Sequence, residues 1–192
     1  MNNKYLLEPG AELHEYNDIL TPAICLDVSG LLLKIRQKPR LQFTLFKKIC
    51  TMRRQQMMFG ANYKFSGIMV NAEPEPDPLV DACIAEANRL YPQYNFNAAL
   101  VNLYETGDDY ISPHSDNESK LKPGAPIVAF SFGATRKMHF VKKATKDKFT
   151  VDLRHNQCVA MVGENFQKKY THAINREKKV DSWRMSITVR QF

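Results

Sequence analysis

His114 and Asp116 stand two positions apart in YISPHSDNESK, residues 110–120, among polar, turn-forming neighbours. Residues i and i+2 of an extended strand share a face, so this imidazole and this carboxylate can aim at one metal ion. The pair alone also fits a solvated surface loop, because H-x-D recurs by chance. A second imidazole is needed to separate the readings. His14 lies in an acidic N-terminal stretch, His139 inside a strand-like run and His155 in a polar turn. His172 differs: it follows GENFQKKYT and precedes AINREKK, shortly before the last apolar–polar alternation of the chain.

Two histidines and one carboxylate leave three positions open on an octahedral iron, the facial arrangement of non-haem Fe(II) oxygenases. Zinc hydrolysis is the rival metal chemistry, although the chain has no H-E-x-x-H. In WRMSITVR, residues 183–190, Trp183, Met185, Ile187 and Val189 fall on one face of a strand, with Arg184, Ser186, Thr188 and Arg190 on the other. The two arginines are about 20 Å apart along a flat strand. Long side chains leaning inward could each clamp one carboxylate of a short diacid. A solvated edge strand would show the same alternation; the histidines weigh against it.

The elements that must position these groups are mixed in the first half and β-rich in the second. Residues 1–30, with Pro9-Gly10 and Thr21-Pro22, read as irregular or weakly helical. NAEPEPDP, residues 71–78, is a stiff extended connector, because proline fixes φ and removes amide donors. It ends in a helix start, Asp77 as N-cap and Pro78 in the first turn. Leu79, Val80, Cys83, Ile84, Ala87 and Leu90 then make an apolar stripe stopped by Tyr91-Pro92. Strand patterns follow in FNAALVNLYE, PIVAFSFGA, RKMHFV, FTVDLR, CVAMVG and SWRMSITVRQF. Short strands punctuated by Gly, Pro and Asp predict a sandwich or jelly roll over βαβ units.

The 192 residues make one domain, large enough to bury a core without disulfides. No apolar run approaches the roughly 20 residues of a membrane span. The start MNNKYLLEPG lacks the features of a secretory signal. An intracellular protein, nuclear or cytoplasmic, not secreted and not membrane-bound, is expected. Cys25, Cys50, Cys83 and Cys158 are scattered without C-x-x-C pairing, which speaks for free thiols. The net charge of +7 is uneven: residues 1–30 set Lys4 against Glu8, Glu12, Glu15, Asp18 and Asp27. Beyond them Lys47-Lys48, Arg53-Arg54, Lys142-Lys143, Lys168-Lys169 and Lys178-Lys179 recur as basic doublets. Such a surplus suits a polyanionic partner, or a surface that merely keeps the protein in solution.

From about Arg53 to Arg190 the chain resembles the AlkB family of Fe(II)- and 2-oxoglutarate-dependent dioxygenases, in its eukaryotic-type nucleic-acid demethylase branch. The likeness is carried by FGANYKFSG, FNAALVNLY, HSDNE, LKPGAPIVAFSFGATRKMHF, THAI and RMSITVR, in order and spacing. It implies an α+β fold, a double-stranded β-helix (jelly-roll) core over about residues 97–192. An N-terminal extension, nucleotide-recognition lid and supporting helix would occupy about 1–96. It implies His114, Asp116 and His172 as iron ligands and O2 as oxidant. Asn102, Tyr104, Arg184, Ser186 and Arg190 would hold 2-oxoglutarate. Tyr63, Phe65 and Ser66 would form the lid over a flipped base, with Phe65 stacking on one face and His114 flanking the other. Glu118 would lie near the exocyclic group, and Arg53 would also contact the substrate. The implied activity is removal of N-methyl groups from DNA or RNA bases such as 1-methyladenine or 3-methylcytosine by a monomer, in alkylation repair. The alternative is a hydroxylase or demethylase of a protein or small molecule.

The sequence departs from the family pattern in places. Ser186 stands where asparagine is usual, Asn117 where an acid is common and Val189 where an aromatic is. Phe46 in TLFKK reads as a core residue ahead of the other option, an apolar wedge pushed into a duplex.

Overall fold

The computed structural model describes residues 3–21, 27–65, 67–116 and 120–192, apart from the side chains of Leu45 and Phe65. Pro9-Gly10 turns out to be a hairpin turn. Gly10 adopts φ 74°, and β1 (Asn3–Glu8) and β2 (Ala11–Asn17) pair antiparallel on either side of it. The expectation of irregular or weakly helical chain over residues 1–30 is corrected there. The strand escaped notice because β2 buries both faces: Ala11 and Leu13 on one, His14 and Tyr16 on the other. Its apolar residues therefore do not alternate with a free polar set.

The larger sheet has seven strands in the order β1, β2, β13 (Gln157–Val162), β10 (Ile127–Gly133), β15 (Arg184–Arg190), β8 (Ala98–Tyr104) and β5 (Gln55–Phe59). A four-stranded sheet faces it: β12 (Lys148–Leu153), β11 (Arg136–Lys142), β14 (Tyr170–Ile174) and β9 (Ile111–His114). Every pairing in both is antiparallel. This is the jelly roll expected, and all six strand patterns of the second half are strands. Two hairpins stand apart from the sheets: β3 (Gln42–Leu45) with β4 (Lys48–Thr51), and β6 (Tyr63–Phe65) with β7 (Ile68–Val70).

Helices cover the outer face of the larger sheet. In α1 (Val28–Arg36) Val28, Leu31, Leu32 and Ile35 are buried at helical spacing. In α2 (Pro78–Leu90) the Asp77 side chain accepts from the Leu79 amide, as its sequence predicts, and Leu79, Val80, Cys83 and Ala87 are buried. They pack on Ala99, Val101, Leu103, Phe130, Met185 and Ile187. A second apolar cluster, with Leu13, Ile127, Met161, Phe140, Leu153 and Ile174, fills the space between the sheets. The inner residues of β8, β10 and β15 complete that interior at its open end, where polar side chains replace apolar ones. The loop from β8 to β9 is docked at Gly107, whose amide donates to Val180 and whose carbonyl accepts from Glu177. A Cβ at Gly107 would collide with the Glu177 carbonyl.

Candidate metal and co-substrate site

β9 ends at His114, and Asp116 follows on the outgoing loop. β14 pairs with β9 so that His172 faces His114 across the ladder. The His114 and His172 rings are 4.3 Å apart between centroids. His114 Nε2 lies 3.9 Å from Asp116 Oδ1, and His172 Nε2 lies 3.7 Å from Asp116 Oδ2. One ligand atom from each residue falls within 4.8 Å of the others. His114 Nδ1 donates to the Ser112 carbonyl at 2.9 Å, which fixes the tautomer and leaves Nε2 with its lone pair outward. The loop is held in turn: Gln167 accepts from the Asp116 amide, and the Ser115 hydroxyl donates to the Tyr170 carbonyl. α3 (Phe166–Lys169), which supplies Gln167, is the short helix before β14.

The electrostatics favour a ligating state. Burial, the largest influence, pushes the His172 pKa down to about 3, so its imidazole is neutral at ordinary pH. Burial would raise the Asp116 carboxyl, yet Arg190, His172 and His114 together hold it below the usual carboxylate range. His172 Nδ1 is buried without a hydrogen-bond partner. A buried ionised carboxylate beside two imidazoles suits Fe(II), and nothing in the set resembles a tetrahedral cysteine site.

The opposite wall comes from β8 and β15, paired with Ser186 beside Asn102 and Arg184 beside Tyr104. Arg184, Ser186, Thr188 and Arg190 all line a cavity of about 770 Å³ that also contains His114, Asp116 and His172. The solvated-edge alternative is thereby excluded: Arg184 and Arg190 are 1% and 3% exposed. Arg184 Nη2 donates to Ser131 Oγ at 2.9 Å, while its Nε is buried with no acceptor. Burial pulls its pKa to about 10, still far above neutrality. Arg190 donates to Asp116 Oδ1 at 3.0 Å and lies 5.0 Å over the Tyr63 ring. Tyr104 lies in the same cavity under the Arg184 guanidinium, 5.5 Å from it.

Sequence reasoning missed Arg54 and Gln56. Both are buried and line the cavity. Asn102 Oδ1 accepts from Arg54 Nε at 2.8 Å and from Gln56 Nε2 at 2.9 Å, so its NH2 end is the one left to donate. Arg53, expected to contact substrate, lies exposed at the rim of the same cavity. The alternation in RRQQ, with Arg54 and Gln56 on one face of the coming strand, was the available signal. Tyr63 is 4% exposed and lines the cavity. Phe65 closes β6, but its side chain lies outside the described residues, as do Ser66, Asn117 and Glu118. Phe46 is corrected outright. It sits at φ 47° in the turn between β3 and β4 and is 90% exposed, because a hairpin of two four-residue strands standing off the sheets has no core to offer its tip.

Among the described residues, the charged groups lining this cavity are Arg53, Arg54, Lys64, Arg184 and Arg190 against Asp116 as sole carboxylate. Such a lining suits an anionic ligand.

Comparison with known proteins agrees with this geometry. The pattern of the 2OG-Fe(II) oxygenase superfamily matches residues 33–190. The DNA oxidative demethylase ALKBH2 of Homo sapiens is 30% identical over 140 residues, covering 69% of this chain and 52% of its own length. The protein of the same name from Arabidopsis thaliana is 24% identical over 125 residues, covering 53% and 40%. The chain thus spans about half the length of the curated relatives it matches. The solved structure of OsALKBH1 shares the fold, with a TM-score of 0.62 over 97% of this chain and 100% of that one at 21% identity. With the His–Asp–His constellation in place between two antiparallel sheets, the chain belongs to the 2OG-Fe(II) oxygenase superfamily, in its AlkB family.

Proposed function

We propose that the chain is an oxidative demethylase that removes N-methyl groups, as in 1-methyladenine or 3-methylcytosine, from DNA or RNA bases, in the repair of alkylation damage. It uses Fe(II), 2-oxoglutarate and O2, and works as a monomer in the nucleus or cytoplasm. The carrying observation is the single cavity in which the His114–Asp116–His172 set and two buried arginines of β15 converge. The ALKBH2 relatives, described as DNA oxidative demethylases, support the substrate class. The bound iron and 2-oxoglutarate together supply the oxidising power to hydroxylate a C–H bond.

The chain's own residues do the placing. His114, Asp116 and His172 hold the metal. Arg184, with its unmet Nε, takes a carboxylate of the dianion, and Asn102 and Tyr104 donate to it from β8. Ser186 offers one hydroxyl where the family usually presents an amide. Arg190 reaches both Asp116 and the cavity, which ties co-substrate binding to the orientation of a metal ligand. Tyr63, Phe65 and Ser66 cover the base, and His114 flanks its other face. Alkylation at a pairing nitrogen weakens pairing, so flipping a methylated base costs less than flipping a sound one. Its positive charge suits aromatic faces and the Glu118 carboxylate. Hydroxylation of the methyl group gives a hemiaminal that releases formaldehyde and restores the ring nitrogen.

Lys47 and Lys48 on the β3–β4 hairpin, with Arg53 and Lys64 at the cavity wall, form no ion pair among the described residues and are available to meet phosphates. Phe46, exposed beside Lys47 at the hairpin tip, fits a wedge.

Formaldehyde and succinate release on matched single- and double-stranded DNA and RNA carrying one 1-methyladenine, beside N-methylated peptides, tests the proposal. Release is expected on oligonucleotides alone and should fall at least ~100-fold in His114→Ala. Turnover confined to peptides would move the chemistry to a protein substrate. Wild-type rates in His114→Ala would overturn the enzyme.

A further inference from the structure

The stretch RQKPR, residues 36–40, joins α1 to the β3–β4 hairpin, and its three cations alternate. Each is paired. Arg36 forks onto Glu105 through Nε and Nη2, both at 2.9 Å. Lys38 donates to Glu73 at 2.8 Å. Arg40 forks onto Asp109, Nη1 to Oδ1 at 2.7 Å and Nη2 to Oδ2 at 2.8 Å. Gln55 Nε2 adds donors to the carbonyls of Arg36 and Lys38.

The Arg40 pair is distinct in placement and burial. The Asp109 side chain is 6% exposed and that of Arg40 31%. Asp109 Oδ2 also accepts from the Glu105 amide, and its carbonyl accepts from Arg136. This carboxylate is therefore the knot of the loop from β8 to β9. Tyr110 and the residues of β9, down to the metal ligand His114, follow directly and line the cavity. On the other partner, Leu41 follows Arg40 and closes the base of the β3–β4 hairpin through its carbonyl to the Met52 amide at 2.8 Å. One fork thus joins the element that presents Phe46, Lys47 and Lys48 to the strand that presents His114.

We infer that Arg40 is a positioning residue: its fork on Asp109 sets the β3–β4 hairpin relative to the metal strand, so that a nucleic acid held by the hairpin is in register with the cavity. The inference rests on the nucleic-acid reading above for its kinetic consequence, and on geometry alone for its mechanical one. A bidentate, largely buried pair transmits orientation as a single point charge cannot.

Two variants test it, Arg40→Gln, which loses charge and fork, and Arg40→Lys, which keeps the charge. Amide hydrogen exchange over residues 42–51 should quicken about tenfold in Arg40→Gln and less in Arg40→Lys, as expected for loss of charge-assisted bonds. KM for a methylated oligonucleotide should rise about tenfold in Arg40→Gln, while 2-oxoglutarate consumption without nucleic acid stays within about twofold of wild type. Unchanged exchange over 42–51 overturns the inference, as does acceleration spread equally over β8 and β10. A fall in kcat with KM unmoved overturns it too. If Arg40→Gln does not fold, Arg40→Lys decides by the same comparison. Wild-type failure on every methylated oligonucleotide would sink the demethylase reading, with the exchange result still deciding the clasp.

Discussion

Arg184 is a buried cation whose Nε has no acceptor. Left unmet this is a standing cost to the fold, which a 2-oxoglutarate carboxylate bound there, on the function proposed above, would offset. Arg184→Met is therefore expected to hold or raise the thermal midpoint of the co-substrate-free protein and to abolish the upward shift that 2-oxoglutarate gives the wild type. KM for 2-oxoglutarate should rise at least ~10-fold, the equivalent of one charge-assisted pair. Scanning calorimetry with and without 2-oxoglutarate reads the first, and succinate release the second. Asn102→Ala should behave oppositely. It strands the donors of Arg54 and Gln56, both buried, and should cost about 1–3 kcal/mol in urea unfolding already without co-substrate. The His114–Asp116 pair and the two arginines were legible because side-chain type and same-face spacing carry that information locally, whereas His172 was reached by elimination among the histidines and through the family resemblance. Arg54 was not, since its value lies in Asn102, 48 positions away.

The β3–β4 hairpin shows what residue type conceals. A phenylalanine is an interior residue on average, yet Phe46 is 90% exposed at a turn with positive φ. Phe46→Ala should leave stability within about 0.5 kcal/mol, since little is buried. Demethylation of a duplex should drop at least ~5-fold while that of a single strand barely changes, if wedging offsets the cost of opening the stack. Equal losses on both substrates would argue that Phe46 contacts strands without separating them. The β8–β9 loop makes the reverse case. Gly107→Ala places a methyl group against the Glu177 carbonyl and should cost more than about 2 kcal/mol, measured by the denaturation midpoint. α2 was legible to its cap because Asp77-Pro78 and a one-sided stripe are local signals. The β1–β2 hairpin was not, because a strand buried on both faces shows no alternation.

The net charge of +7 is partly spent internally: Lys142 and Lys169 both bridge Glu8, and Lys168 meets Glu164. The remaining exposed cations near the cavity should make oligonucleotide binding fall steeply with salt, by at least ~10-fold between 50 and 200 mM, in fluorescence anisotropy. A flat salt response would assign the charge to solubility. Among the described residues no helix is long and apolar enough to cross a membrane. The jelly roll as a class followed from many short strands; the seating of β1 and β2 beside β13 did not, since it joins residues 11–17 to 157–162. That seating constrains how the protein can be shortened. A fragment trimmed to residues 33–190 would strip β13 of its neighbour and leave an apolar row, Cys158 to Met161, with open amides and carbonyls at a sheet margin. Such a margin recruits other chains, so the trimmed fragment should cluster in solution even with its iron ligands intact.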